Sequence, residues 1–159
     1  MVRKGFVLVL GLIMAVGFYA LLGWLEPTLC LLINSYSVLV ILIAIIYGEL
    51  DGAIMGTCAG LVQDAFSHGV FGLAGLSLTI TGFLAGWLSR KLDIRTFYKR
   101  LVFVFILSLG QLFIWVFFYF LIFRQSLLYS QPTLYLQPAV TALIAAAILN
   151  LFRKVNPTV

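Results

Sequence analysis

Few residues of this 159-residue chain could take part in bond-making chemistry. The sequence holds one histidine, His68, two cysteines, Cys30 and Cys58, and five acids. A metal centre needs several ligands close together, and a serine nucleophile would have to share the lone histidine as its base. The sequence also contains no phosphate-binding G-x-x-x-x-G-K-[ST] loop. We therefore expect no enzyme activity, no cofactor and no metal, and we interpret the cysteines as packing residues.

Asp64 is the acid most open to a functional interpretation, because it lies near the end of an apolar segment. An ionisable side chain costs at least ~2.5–3.5 kcal/mol at the centre of a bilayer, so its presence there suggests a function. The residues after Asp64, however, run to Gly69 and are typical of a helix end with a glycine stop. Three roles stay open: a solvated turn acid, a residue that with Gln63 orients a helix junction through hydrogen bonds, and the proton site of a small carrier.

The most specific pattern in the chain is a run of glycines at strict four-residue spacing before Asp64. We call these residues the glycine ridge: Gly48, Gly52, Gly56 and Gly60. More glycines follow in and before the next helix: Gly69, Gly72, Gly75, Gly82 and Gly86. Residues at i and i+4 share one face of a helix, and small residues there let two membrane helices approach closely. The spacing favours a tight hairpin of these two helices over the alternative, a docking face for a helix of another protein.

Composition indicates a membrane protein. Hydrophobic residues make up 64% of the chain and charged residues 9%, whereas a soluble domain has about 45–50% and about 25%. A crossing helix needs about 20 apolar residues, so the length allows at most about six crossings, and we predict one integral membrane domain over residues 1–159. The net charge of +5 does not indicate nucleic-acid binding, because the cations lie in short clusters between apolar runs.

The apolar runs predict an all-α fold of six transmembrane helices: residues 5–25, 29–47, 52–66, 72–89, 101–123 and 133–152. Residues 28–66 are apolar, but Glu49 and Asp51 with two glycines interrupt them. This region could form either one kinked helix or two helices joined by a tight turn. Cytoplasmic loops carry the excess of Lys and Arg. The clusters at residues 3–4, 90–100 and 153–154 share one side only if residues 28–66 form two helices. Both termini are then cytoplasmic, nine of the ten cations lie inside, and the two acids fall in a solvated inner turn.

Two further features agree with this topology. The first apolar run is longer than the ~7–15 residues of a signal-peptide core and lacks a small-x-small cleavage site, so we interpret it as a retained crossing. Tyr and Trp residues are enriched at membrane interfaces. They lie near the predicted outer ends (Trp24, Tyr36, Tyr129 and Tyr135) and the predicted inner ends (Tyr47, Trp87 and Tyr98).

The stretch from Ser37 to Ser77 resembles the core signature of the rod shape-determining protein MreD family. The resemblance is carried by an apolar helix, then G52-x-x-x-G56-x-x-x-G60-x-x-x-D64, then G69-x-x-G72. Chain length, six spans, a basic loop before the fifth helix and a basic C-terminus extend it across nearly the whole sequence. The family often has a proline where the second helix starts, whereas this chain has Asn34-Ser35.

This resemblance implies a non-enzymatic, multi-pass scaffold in the bacterial inner membrane. Such a scaffold belongs to the elongasome, maintains cell shape and helps direct peptidoglycan synthesis. The implied partners are the single-pass protein MreC, the actin-like MreB and the pair of RodA with a penicillin-binding protein. The positions carried over are Gly56, Gly60, Asp64 and Gly72. On this basis we expect the glycine ridge to seat a partner's helix, Asp64 to fix the outer end of the third helix, and Gly56→Leu to abolish co-purification of the partner.

The alternative function is the substrate-binding membrane component of an energy-coupling-factor vitamin transporter, which is similar in architecture. That family has an Ala-x-x-x-Ala coupling motif in its first helix. In this chain Tyr19 stands four residues after Ala15, and the next alanine is Ala20, so the motif is not matched. It also needs polar residues lining an outward pocket, and the sequence suggests few.

Overall fold

The computed structural model describes residues 2–66, 71–92, 94, 96–123 and 135–155. Regular structure in this part of the chain is helical, without a strand, as the sequence predicts. Its seven helices are α1 (Val2–Leu25), α2 (Pro27–Leu32), α3 (Ser35–Tyr47), α4 (Glu49–Phe66), α5 (Leu73–Lys91), α6 (Phe97–Phe123) and α7 (Gln137–Val155).

Two of these helices are long and apolar enough to cross a membrane by length and composition: Gly5–Leu25 in α1 and Phe97–Ile122 in α6. Only 11% of the most apolar part of the first and 28% of the second is buried within the protein. Large apolar side chains such as Met14, Trp24 and Phe113 are therefore exposed. A continuous apolar surface of this kind is unsuited to water, which indicates a membrane protein.

Five predicted spans each coincide with one helix, with ends that differ by at most four residues. The predicted continuous helix over 29–47 is wrong, because the chain leaves helical geometry at Ile33 and Asn34. The Asn34 side chain accepts a hydrogen bond from the Ser37 N–H at 3.0 Å. It thereby caps a new helix, since a short polar side chain satisfies an N–H that has no partner within the helix. The second predicted span therefore corresponds to two helices, α2 and α3.

A single glycine separates α3 from α4. Gly48 has φ 110°, a conformation that side-chain-bearing residues rarely adopt, and its N–H closes α3 on the Ala44 carbonyl at 2.9 Å. Helix α4 begins at the next residue, so Glu49 and Asp51 lie in its first turn rather than in a loop.

Helix α3 lies at the centre of the molecule and contributes to two apolar clusters. The first joins α3, α5, α6 and α7: Val38, Ile41, Ala44, Ala85, Phe103, Val104, Leu107, Ala142, Ala145 and Leu149. The second joins α1, α3, α4 and α5: Ala15, Tyr36, Val40, Ile43, Met55, Ala59 and Leu78. Helix α1 contributes a single buried residue, Ala15, to these clusters, and only 11% of its most apolar part is buried. It therefore lies at the edge of the bundle, whereas α4 and α5 pack closely beside α3.

Candidate functional site

The glycine ridge of α4 packs directly against the backbone of α5. A Cβ atom at Gly52 would lie 2.5 Å from the Gly82 carbonyl oxygen, and one at Gly56 would lie 2.6 Å from the Leu78 carbonyl carbon. At Gly60 the nearest groups are also backbone, with the Gly75 nitrogen at 2.5 Å. Real Cβ atoms do not approach backbone this closely. No side chain therefore fits at these positions at the present separation of the two helices.

The close approach is reciprocal. A Cβ atom at Gly82 would lie 2.7 Å from the Gly52 carbonyl carbon, and one at Gly86 would lie 2.5 Å from the Glu49 Cα. Glycines on both helices therefore create one interface, which is the small-residue packing seen between membrane helices. We call α4 and α5, joined in this way, the glycine hairpin.

The glycine ridge is consequently not a free groove. Helix α5 fills it along its length, so the expectation that it seats a partner's helix is wrong for this structure. The same geometry changes the meaning of Gly56→Leu: the new side chain would collide with α5, so a loss of co-purification would report a damaged hairpin rather than a lost docking face.

Two predicted glycines serve turns instead. Gly48 provides the positive-φ connection between α3 and α4, and Gly72, with φ 98°, precedes α5 as its N-cap. A Cβ atom at Gly72 would meet nothing within 4 Å, so backbone conformation rather than space accounts for glycine there. Gly69 and His68 lie outside the described residues.

Asp64 caps α5 from the last turn of α4. Its carboxylate is 5% exposed and accepts three backbone hydrogen bonds from the start of α5. The Gly72 and Gly75 N–H groups donate to Oδ2 at 2.9 and 3.0 Å, and the Ala74 N–H donates to Oδ1 at 3.0 Å. These donors are the N-cap, N2 and N3 groups of the helix, which otherwise lack acceptors.

Asp64 provides the side-chain hydrogen-bond acceptor that Gly72, which has no side chain, cannot provide at the N-cap position. An N-cap side chain ordinarily accepts from N2 or N3, and in a capping box the N3 side chain serves the N-cap N–H. Asp64 performs both functions from the neighbouring helix and places its negative charge at the positive end of the α5 dipole. Of the three roles left open, the geometry fits a residue that orients a helix junction. Gln63 does not assist in the described structure, since its buried Oε1 has no hydrogen-bond partner there.

An ion pair links the two helices at the opposite end of the glycine hairpin. Arg90 Nη1 lies 3.1 Å from Glu49 Oε1 and 3.0 Å from Oε2. The Arg90 side chain is 60% exposed, so water screens the pair and it contributes little stability. Polar interactions therefore connect α4 and α5 at both ends of the hairpin, and the one at Asp64 contributes far more stability.

Sequence reasoning missed a group of buried polar side chains beside the break between α2 and α3. Ser37 donates a hydrogen bond to the Gln111 side-chain oxygen on α6, and Ser35 donates to the Ala15 carbonyl on α1 at 3.2 Å. Thr141 on α7 is fully buried next to Ala142, which packs in the same cluster as Val38. One signal was available: Gln111 interrupts an otherwise apolar run, and a polar residue within a membrane helix usually faces other helices.

No group of three or more His, Cys, Asp or Glu side chains in the described ranges could hold a metal ion. Comparison with family models, curated proteins and solved structures finds no match to this chain. The site is therefore defined by its geometry alone, which is that of a rigid, closely packed pair of helices.

Proposed function

We propose that this protein is a non-enzymatic scaffold of the bacterial cell-elongation machinery, similar to MreD. It crosses the inner membrane six times, binds the single-pass protein MreC, and acts with MreB and the RodA and penicillin-binding protein pair in cell shape and peptidoglycan synthesis. The observation that supports this proposal is the glycine hairpin. Of the residues on which the resemblance rests, Gly52, Gly56, Gly60 and Asp64 lie in α4, and Gly72 is the N-cap of α5.

Helix lengths are compatible with six spans. Helices α4 and α5 have 18 and 19 residues, which is about 27–29 Å at 1.5 Å per residue, close to the ~30 Å hydrocarbon core. Helix α3 has 13 residues and is too short alone, so we propose that α2 and α3 together make the second crossing. At the break the buried Asn34 side chain accepts from the Ser37 N–H, and irregular backbone at membrane depth needs polar partners of this kind within the protein.

The partner's helix needs a surface other than the glycine ridge. Helices α1 and α6 offer outward-facing glycines: a Cβ atom at Gly17 or at Gly110 would meet nothing within 4 Å. A leucine at either position should leave the internal packing unchanged and alter only the outward surface. These two sites therefore provide variants that separate partner binding from folding, which Gly56→Leu cannot do.

The first test is a pull-down of the tagged full-length protein from native membranes in a mild detergent, analysed by mass spectrometry. We expect a single-pass protein with an extracytoplasmic domain, together with wall-synthesis enzymes. Gly17→Leu and Gly110→Leu are then compared with the wild type at equal expression, and the one that lowers recovery identifies the helix face that the partner contacts. Absence of any such partner from the wild-type sample would contradict the scaffold function.

One observation favours the alternative, a substrate-binding component of an energy-coupling-factor transporter. That function needs polar side chains inside the bundle to bind a substrate, and Ser37 and Gln111 are buried polar residues in contact with each other. In the described structure Ser37 and Gln111 bond to each other, which fits helix packing as well as a binding site. Recovery of ATP-binding cassette subunits in the same pull-down would select the transporter function.

A further inference from the structure

Cations are concentrated where α5 ends and α6 begins. Residues 90–100 include Arg90, Lys91, Lys99 and Arg100 in the described structure. Arg100 is buried, whereas the side chains of the other three are exposed. We call Arg90, Lys91 and Lys99 the basic patch.

Aromatic side chains place this patch at the level of lipid headgroups. Lys91 Nζ lies 3.9 Å from the centre of the Trp87 ring, a cation–π contact. Trp87 is 42% exposed and Tyr98, in the first turn of α6, is 72% exposed. Exposed Trp and Tyr side chains on membrane helices prefer the boundary between headgroups and hydrocarbon, so the neighbouring cations lie among the phosphates.

Cations outnumber acids at this end of the molecule. Under the proposed topology it holds nine of the ten Lys and Arg residues but only three of the five acids. Within the described ranges Glu49 pairs with Arg90, whose side chain is still 60% exposed. A surplus of positive charge on the cytoplasmic side attracts anionic lipid.

We infer that the basic patch binds the phosphate headgroup of an anionic phospholipid. Arg90 provides a planar guanidinium group that can bind two phosphate oxygens, and Lys91 provides a point charge beside it. The exposed apolar side chains of Leu92 and Phe97 adjoin these cations and suit acyl chains. A soluble acidic protein would leave that apolar surface uncovered, so the combination favours a lipid. The inference depends on the six-span topology proposed above and not on the identity of the protein partner.

Native mass spectrometry of the detergent-solubilised full-length protein tests this inference. The probes are dioleoylphosphatidylglycerol and dioleoylphosphatidylcholine, which differ in headgroup charge but share their acyl chains. A basic residue near an anionic surface contributes roughly five-fold in affinity, from about 1 kcal/mol each. We expect phosphatidylglycerol to bind at least ~ten-fold more tightly than phosphatidylcholine, and the double variant Arg90→Gln/Lys91→Gln to lose about 25-fold.

Two further variants protect the result from unfolding artefacts. Glu49→Gln releases Arg90 from its ion pair and should strengthen phosphatidylglycerol binding, by up to about five-fold, an effect that a damaged fold cannot imitate. Arg124→Gln removes the one cation that the topology places outside, at a residue beyond the described ranges, and should change nothing.

Equal binding of the two lipids, or an equal loss in Arg124→Gln and in the double variant, would overturn the inference. So would a patch-dependent acidic protein recovered without any lipid preference. Detergent micelles have no inside or outside, so an error in the topology would leave this measurement unchanged. It would appear instead in cysteine accessibility measured from the two sides of the membrane.

Discussion

Asp64→Ala should destabilise the protein strongly. The substitution leaves three backbone N–H groups at the start of α5 without their acceptor, in a site that is 5% exposed at Asp64. An unsatisfied buried donor costs about 1–3 kcal/mol, and loss of an ordinary N-cap costs about 0.5–2 kcal/mol. Since three donors share one carboxylate and water can reach the freed groups in part, we expect a loss of about 3–5 kcal/mol in the free energy of unfolding.

The Asp64→Asn variant makes this prediction sharper. An amide oxygen in the place of Oδ2 keeps the bonds from Gly72 and Gly75, but the amide NH₂ then faces the Ala74 N–H, which is also a donor. Asparagine also removes the negative charge from the positive end of α5, worth about 0.3–1 kcal/mol. We therefore expect the stability order Asp, then Asn, then Ala, with Asn losing about half as much as Ala.

Reversible unfolding in mixed micelles with increasing SDS measures these differences in free energy. Hydrogen exchange of a peptide covering residues 71–76 locates them, because the freed N–H groups should exchange faster by about ten-fold for each 1.4 kcal/mol of lost protection. If Asp64→Ala unfolds at the wild-type SDS fraction, or if Asn is less stable than Ala, the capping argument is refuted.

Three smaller effects are expected in the same unfolding assay. Gly56→Ala forces α4 and α5 apart and should cost about 1–3 kcal/mol, whereas Gly17→Ala should have no cost, and equal effects would contradict the packing argument. Ser37→Ala should lower the free energy of unfolding by about 0.6–2 kcal/mol, the range for hydrogen bonds between membrane helices. The loss should be smaller when Gln111→Leu is already present. Additive losses in the double variant would exclude the hydrogen bond between Ser37 and Gln111. Glu49→Gln should lower the free energy of unfolding by less than about 1 kcal/mol, because the Arg90 side of its ion pair is exposed. A larger loss would show that the ion pair contributes strongly to stability.

Hydropathy and charge were sufficient to place most helices. Their bounds follow from apolar length, and the separation of α3 from α4 followed from the positions of basic clusters and a glycine at residue 48. The break at Asn34 was missed because hydropathy continues through it. Capping chemistry carried the signal instead, since Asn34 followed by serines is typical of a helix start.

The pairing at the candidate site was predictable from the sequence. Four-residue spacing of glycines favoured a tight hairpin of the two helices, and the contacts of Gly52, Gly56 and Gly60 with the α5 backbone confirm it. The docking of a partner's helix on the ridge came from the resemblance, and spacing alone does not exclude it because small residues suit an internal neighbour and a foreign helix. The sequence places Asp64 near a helix end, but its three donors lie eight to eleven residues later, beyond the reach of any local pattern.

Under the proposed six-span topology, the hydrogen bonds of Asp64 also have a consequence for how the chain enters the membrane during synthesis. Helix α4 carries Glu49, Asp51 and Asp64, and among the described helices it is not one that qualifies on its own as a span. An aspartate opposes insertion of a lone helix by the translocon, by about 2.5–3.5 kcal/mol at the helix centre and by less in the last turn, where Asp64 lies. The Asp64 carboxylate can accept its three hydrogen bonds only when α5 has formed. Insertion of α4 is therefore more favourable if α4 stays in the translocon until α5 emerges. The two helices should therefore partition into lipid together, as one preassembled unit.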